Sequence, residues 1–155
     1  MTSNRKTIAL NRRARFDYAL EEFFEAGIVL TGSEVKSLRN GRANIQDAHA
    51  SHDAGEIYLR NANIEPWKSA GVFNHEPTRP RKLLLKKKEI RKLVGALERK
   101  GYTLVPVSVY FNKRGIAKIE IALGKGKTKV DKRATQKDRD WKRDKSRILK
   151  IHQNR

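Results

Sequence analysis

The pattern that most restricts the fold of this 155-residue chain is a pair of alternating apolar segments around a short polar turn. The turn is Asn112–Gly115, and charged residues such as Lys118 and Glu120 alternate with the apolar ones that follow it. The apolar positions that share a face are Val105, Val107, Val109 and Phe111 before the turn and Ala117, Ile119, Ile121 and Leu123 after it. Because side chains alternate between the faces of a strand, this pattern predicts a long antiparallel hairpin with one face in a core.

Two helices are predicted from apolar residues at helical spacing. The first begins at Asn11, whose side chain suits an N-cap, and ends at Gly27. Its apolar positions are Phe16, Ala19, Leu20, Phe23 and Phe24. The second carries Ile90, Leu93, Val94 and Leu97 and ends at Gly101, and one further helical turn is expected at 35–39.

The remaining elements are short strands, expected at 8–10, 28–34, 43–51, 56–62 and 82–85. A turn is expected at Asp53-Ala54-Gly55, and a long connection at 66–80. Short strands with a helix inserted before the last hairpin predict a mainly β fold with two or three helices, an OB-type Greek-key barrel.

The net charge of +19 is distributed unevenly along the chain. Residues 1–15 carry +5, residues 16–78 carry −5, residues 79–123 carry +10 and residues 124–155 carry +9. We therefore expect a barrel domain at 1–123 and a basic tail at 124–155. The apolar residues of the tail are too sparse to offset the entropy of ordering, but Ala134, Trp141 and Ile148 recur every seven residues. The tail is expected to be disordered when free and helical against a charged partner.

The sequence offers no pattern typical of an enzyme, a metal site or a cofactor site. It has no cysteine and no apolar segment long enough for a signal peptide or a membrane span, which favours a cytoplasmic protein. His49 and His52 are expected on opposite faces of a strand and solvated. Gly126-Lys127-Thr128 resembles the end of a phosphate-binding loop, but Ile121 stands where that motif needs a glycine. We therefore expect a protein without catalytic activity, cofactor or metal.

Clusters of cations are the strongest functional signal. They are Arg12-Arg13 with Arg15, Arg79–Lys82, Lys86–Lys88 and Lys125-Gly126-Lys127. Such clusters release counterions when they pair with phosphates, so Arg13, Lys125 and Lys127 are predicted RNA contacts. Glycines 124 and 126 are expected to let the backbone approach a sugar-phosphate chain. A basic tail on an anionic membrane is the alternative. The tail has one Trp, a thin apolar stripe and four Asp, which favours RNA.

Several segments of the chain resemble the SsrA-binding protein family, SmpB. They are 9–18, 24–30, 32–39, 81–85, 101–105 and 131–133, which occur in the family's order along nearly the whole chain. The resemblance implies an OB-type barrel that binds the tRNA-like domain of transfer-messenger RNA, the RNA that rescues stalled ribosomes. It further implies alanyl-tRNA synthetase and elongation factor Tu as partners through that RNA. A generic basic OB-fold protein, associated with ribosomes or acting as an RNA chaperone, remains the alternative.

The resemblance also implies functional positions. RNA contacts are implied at Asn11, Glu25, Leu85 and Lys118, although the apolar pattern alone also allows Leu85 in the core. In the tail, Asp131, Lys132 and Arg133 would contact the decoding region of the ribosome. Trp141, Ile148 and Leu149 would lie on a helix in the vacant message channel. Val130 departs from the aromatic or His that the family often has before Asp131, which puts stacking on a base in doubt at that position.

Overall fold

The structure is a computed structural model that describes residues 6–99, 101–126, 133 and 136–145. The strands within these residues are β1 Lys6–Leu10, β2 Tyr18–Ile28, β3 Ala43–Asn44, β4 His49–Asp53, β5 Glu56–Arg60, β6 Asn63–Ile64, β7 Arg81–Leu84, β8 Tyr102–Phe111 and β9 Ala117–Gly126. The helices are α1 Ala14–Asp17, α2 Gly32–Arg39 and α3 Lys87–Leu97, with a 3-10 turn at Gly71–Phe73. Residues 136–145 are also helical.

Six antiparallel strands close into a barrel in the order β8, β4, β5, β7, β2 and β9, because β9 pairs again with β8. β1 adds to β8 on the same edge as β4, and β3 pairs only with β6. The mainly β barrel predicted from the sequence is confirmed, and so are the long β8–β9 hairpin and the helix that precedes it. Closing the sheet leaves few unpaired strand edges for other chains to pair with.

The core lies inside this barrel. Ile57, Leu83, Leu104, Ile119 and Ile121 are each at most 2% exposed, and α3 adds the fully buried Leu93. Burying one such side chain stabilises the fold by about 1.5–3 kcal/mol, before the entropy of ordering is subtracted.

The helix predicted from Asn11 to Gly27 is wrong. Only Ala14–Asp17 is helical, Arg13 rather than Asn11 precedes it, and Tyr18–Ile28 forms the strand β2. The partner β9 supplies backbone hydrogen bonds along nearly the whole of β2. The apolar residues of β2 follow a helix-like spacing because they lie on both faces of the strand: Leu20 and Phe24 are on the less exposed face, whereas Ala19 and Phe23 are exposed.

The strand predicted from Ile28 toward Glu34 is wrong, because β2 ends at Ile28 and residues 29–31 are not in a strand. The helix expected at 35–39 begins earlier, at Gly32. The backbone N–H of Thr31 donates to Oε1 of Glu34 at 2.8 Å. Thr followed three residues later by Glu is a capping box, so the sequence contained a signal for this helix start.

The single strand predicted at 43–51 is wrong: β3 and β4 are separate strands, since β3 pairs with β6 whereas β4 belongs to the barrel. The predicted strands at 8–10, 56–62 and 82–85 are confirmed with shifted ends. β4 and β5 are joined at Ala54 and Gly55, whose φ angles of +50° and +80° fit a hairpin turn. β9 continues to Gly126, three residues beyond the boundary expected at 123. A Cβ on Gly124 would lie 3.1 Å from both Tyr18 Cβ and Leu20 Cδ2. The missing side chain at Gly124 therefore leaves space for the close approach of β2, and not for a sugar-phosphate chain as predicted.

Candidate nucleic-acid interface

The outer face of the β2–β9 pair brings together two of the predicted RNA contacts. Gly27 pairs with Lys118 across the two strands, and Glu25 lies two residues from Gly27 on the same face. Glu25 is exposed and Lys118 is half-buried. A cation and a carboxylate therefore share one accessible patch on the barrel wall.

A tyrosine from β8 orients the carboxylate of this patch. The hydroxyl of Tyr110 donates to Oε2 of Glu25, and Tyr110 pairs with Lys118 across β8 and β9. Tyr110 is only 2% exposed, so its ring is fixed in the protein. Sequence reasoning missed Tyr110 because the hydrogen bond joins residues 85 positions apart.

A leucine on β7 extends the same patch. Leu84 pairs with Gly27 on the side opposite Lys118 and is 53% exposed, an unusual position for a large apolar side chain. A Cβ on Gly27 would lie 3.2 Å from Leu84 Cβ, so the glycine lets Leu84 lie close to β2. The predicted contact Leu85 is half-buried and packs against the core. We define the outer patch as Glu25, Gly27, Leu84 and Lys118.

Asn11 lies on the other edge of β8, and it is buried at 6% exposure. Its backbone N–H donates to Val107 O at 2.8 Å, and its Nδ2 donates to Pro106 O at 3.0 Å. The oxygen Oδ1 has no hydrogen-bond partner among the described residues. The structure therefore does not bring Asn11 into the outer patch.

Cations lie at the N-terminal end of β2, where Lys125 pairs with Ala19, at the end of the strand away from the outer patch. Arg12, Arg13 and Arg15 are exposed, and Arg13 Nε lies 3.7 Å from Asp17 Oδ2. Lys125 is exposed at the end of β9, and its Nζ lies 4.8 Å from the ring centroid of Tyr102.

The tail is described only in part. Arg133 and residues 136–145 are helical and exposed, and Trp141 is 67% exposed. Arg139 lies over the ring of Phe16 at 5.6 Å. The predicted positions Lys127, Asp131, Lys132, Ile148 and Leu149 lie outside the described residues.

One of the cation clusters has a structural role. Arg81 is fully buried and pairs with the fully buried Glu34, which also accepts from Arg79 at 3.1 and 3.2 Å. The guanidinium of Arg81 also donates to Ala62 O at 2.8 Å and to Pro77 O at 3.0 Å. Because both guanidinium groups pair with Glu34, Arg79 and Arg81 are not part of the free basic surface. Lys86–Lys88 are exposed.

The ion pairs determine the charge state of Glu34. Burial by itself raises the pKa of Glu34, but the hydrogen bonds from Arg79, the Thr31 backbone and Arg81 outweigh it. The pKa of Glu34 is therefore below its usual value, and the carboxylate is ionised at neutral pH.

Three of the four histidines, His49, His52 and His75, lie within the described residues. His49 and His52 are exposed, as predicted. The buried His75 has a structural role that the sequence did not indicate: its Nε2 donates to Ile64 O at 2.8 Å, and its Nδ1 lies 2.8 Å from Ser33 Oγ. In the part of the chain that the structure describes, no three acidic or histidine side chains cluster as metal ligands. Over the same residues, no helix is both long and apolar enough to cross a bilayer.

Comparison with known proteins decides the family. The family model described as SmpB protein matches residues 8–151, which is most of the chain. The chain belongs to the SmpB family. Its SmpB relatives include the SsrA-binding proteins of Novosphingobium aromaticivorans, 57% identical over 96% of this chain and 92% of the relative, and of Caulobacter vibrioides, 59% identical over 94% and 95%.

A solved SmpB chain has the same fold. It is described as "tmRNA-SmpB: a journey to the center of the bacterial ribosome" and is 49% identical to this chain. The TM-score is 0.65, with 77% of this chain and 84% of the solved chain covered. At 49% identity, the two chains are similar in sequence as well as in fold.

Proposed function

We propose that this protein binds the tRNA-like domain of transfer-messenger RNA and delivers that RNA to stalled ribosomes, where trans-translation tags the unfinished chain. The main support for this proposal is the match of residues 8–151 to the SmpB family. The relatives named SsrA-binding protein and the solved chain described with tmRNA and the bacterial ribosome support it.

The outer patch supplies chemistry suited to folded RNA. Lys118 provides a cation for a phosphate, and the exposed Leu84 provides an apolar surface for a sugar or an unstacked base. Glu25 repels phosphate but accepts hydrogen bonds from exocyclic amines, and the bond from Tyr110 fixes its direction. The patch therefore combines a phosphate contact with a group able to distinguish bases.

Further contacts are proposed beyond this patch. Arg13 and Lys125 are exposed and would add phosphate contacts, and Lys127 follows Lys125 by two residues. Leu85 would support Leu84 from the core side, because it packs there. Asn11 would act through its exposed neighbours Arg12 and Arg13, because it is itself only 6% exposed.

The tail is proposed to enter the vacant message channel of the ribosome. Arg133, with Asp131 and Lys132 beside it in sequence, would contact the decoding region. The exposed Trp141 would anchor the helix in the channel together with Ile148 and Leu149. A tail that fits only an empty channel makes vacancy itself the signal for rescue.

Other partners follow from this role. Alanyl-tRNA synthetase and elongation factor Tu would act through the RNA, and the protein would work in the cytoplasm as a binding protein without catalysis.

Competition binding tests the proposal against a generic RNA chaperone. Full-length protein is titrated into labelled transfer-messenger RNA in the presence of equal nucleotide amounts of bulk tRNA or of unlabelled transfer-messenger RNA. We expect the unlabelled transfer-messenger RNA to compete at least about a hundredfold better, since specific recognition adds several kcal/mol to phosphate contacts. Equal competition by bulk tRNA would support a generic basic protein and overturn the proposal.

A further inference from the structure

Two rows of paired residues cross the outer face of the barrel at the outer patch. In one row, Tyr110 of β8 pairs with Lys118 of β9, which pairs with Gly27 of β2. In the next row, Glu120 of β9 pairs with Glu25 of β2. The rows share one face, because residues two apart in a strand point to the same side. Glu25 and Lys118 are therefore diagonal neighbours across β2 and β9.

This placement favours an ion pair between Glu25 and Lys118. Long side chains at diagonal positions of paired strands are near enough to interact, and opposite charges attract there. Such a pair would weaken both groups for RNA binding. It would neutralise the ammonium that a phosphate needs and occupy the carboxylate that an exocyclic amine needs.

The side chains adopt a different arrangement. The hydroxyl of Tyr110 donates to Glu25 Oε2, and the ammonium of Lys118 has no ion-pair partner among the residues that the structure describes. Tyr110 is 2% exposed, so the packing around its ring fixes the position of the hydroxyl. Glu25 itself is exposed and keeps Oε1 for a ligand, because one hydrogen bond uses only part of the acceptor capacity of a carboxylate.

We propose that Tyr110 is a positioning residue for RNA binding, whose hydroxyl holds Glu25 away from Lys118 and so keeps the carboxylate available to an amine and the ammonium available to a phosphate. The inference rests on the proposed function for the contacts of Glu25 and Lys118. It adds a buried residue that acts through these two side chains without touching the RNA.

A double-mutant cycle on the affinity of the full-length protein for transfer-messenger RNA tests this role. Tyr110→Phe removes the hydroxyl and keeps the buried ring, and Glu25→Ala removes the carboxylate that the hydroxyl holds. A third protein carries both substitutions, and each protein is titrated at several salt concentrations. Tyr58→Phe is the matched control, because Tyr58 is half-buried on β5 and belongs to neither row.

The two substitutions should not act additively. We expect Tyr110→Phe alone to weaken binding about three- to tenfold, the net effect of about one hydrogen bond, but to change it less than about twofold in the Glu25→Ala protein. We also expect Tyr110→Phe to reduce the salt dependence of log Kobs by about 0.5–1, since Glu25 then pairs with Lys118. The double variant should regain the slope of the wild type, and Tyr58→Phe should change neither quantity.

Equal effects of Tyr110→Phe with and without the carboxylate of Glu25 would show a purely structural role and overturn the proposal, and so would an unchanged salt slope. If thermal unfolding shows that Tyr110→Phe does not fold, Glu25→Asp decides the matter, because its shorter side chain withdraws an exposed carboxylate from the hydroxyl. Binding weakened by more than about twofold in Glu25→Asp would support the positioning role, and binding within that limit would overturn it. These outcomes leave the proposed function intact, whereas failure of the wild type to bind this RNA would overturn both.

Discussion

Replacing Glu34 by Gln should destabilise the barrel more than any exposed ion-pair substitution. Glu34 and Arg81 are both 0% exposed, and Glu34 also accepts from Arg79 and from the backbone N–H of Thr31. Without the carboxylate, the buried guanidinium keeps only neutral partners, including the carbonyls of Ala62 and Pro77. Breaking a buried pair on one side costs about 3–5 kcal/mol, because it leaves an uncompensated charge in the interior.

The assay is equilibrium unfolding in urea at pH 7. A loss of 3–5 kcal/mol is a large part of the roughly 5–15 kcal/mol that holds a domain folded, and it corresponds to a fall in Tm of roughly 10–20 °C. Glu65→Gln is the matched control, since its pair with Arg42 is about half exposed and spans 3.1 Å. The control should cost less than about 1 kcal/mol. A loss of less than 1 kcal/mol for Glu34→Gln, or one equal to the control, would refute the reasoning.

Acid titration checks the same residue independently. The pKa of Glu34 is lowered in the folded protein from an ordinary value of 4.5, since its hydrogen bonds outweigh the cost of burial. Its contribution to stability is therefore complete above pH 4.5 and is lost as the pH falls toward the lower folded value. The wild type should lose this increment of unfolding free energy on acidification, and Glu34→Gln should not. Parallel acid profiles for the two proteins would contradict the assignment.

Two further substitutions test the outer patch and the end of the barrel. Lys118→Ala should reduce the dependence of log Kobs on log salt by about one for transfer-messenger RNA, whereas Lys68→Ala, at an exposed position of the 66–80 connection, should not. An unchanged slope for Lys118→Ala would exclude a phosphate contact. Gly124→Ala should cost about 1–3 kcal/mol in urea unfolding because its Cβ would lie 3.1 Å from Tyr18 Cβ. Gly126→Ala is the control, because its Cβ would meet nothing within 4 Å, and it should change the unfolding free energy by less than about 0.5 kcal/mol. Equal effects at the two glycines would contradict the packing explanation.

Much of the barrel could be predicted because its longest hairpin has a regular alternation of apolar and polar residues. The strand β2 could not, because its apolar residues lie on both of its faces, as the exposed Phe23 and the buried Phe24 show, and this gives them a helix-like spacing. Only pairing with β9 reveals the strand. Local patterns report local structure, whereas this register depends on residues about a hundred positions away. The sequence therefore predicted the fold class better than the order of its first elements.

The candidate site also depends on pairings between residues that are far apart in the sequence. Lys118 on an alternating strand was predictable as a surface cation, but the burial of Arg81 depends on Glu34, 47 positions away. The exposure of Leu84 rather than Leu85 depends on the register of β7 against Gly27. The sequence alone therefore overestimates the number of exposed cations, because ion pairs between distant residues bury some of them.

Binding and ribosome rescue by a chain cut after Gly126 test most directly the division of work between barrel and tail. The cut keeps all of β9, and circular dichroism and thermal unfolding confirm that the barrel remains folded. Full-length and truncated proteins are compared in affinity for transfer-messenger RNA and in tagging on ribosomes stalled without a stop codon. We predict affinities within about tenfold, because the cut removes +8 of the net charge but leaves the outer patch, together with loss of tagging by the truncated protein. Loss of most RNA affinity on truncation, or tagging that survives it, would contradict this division.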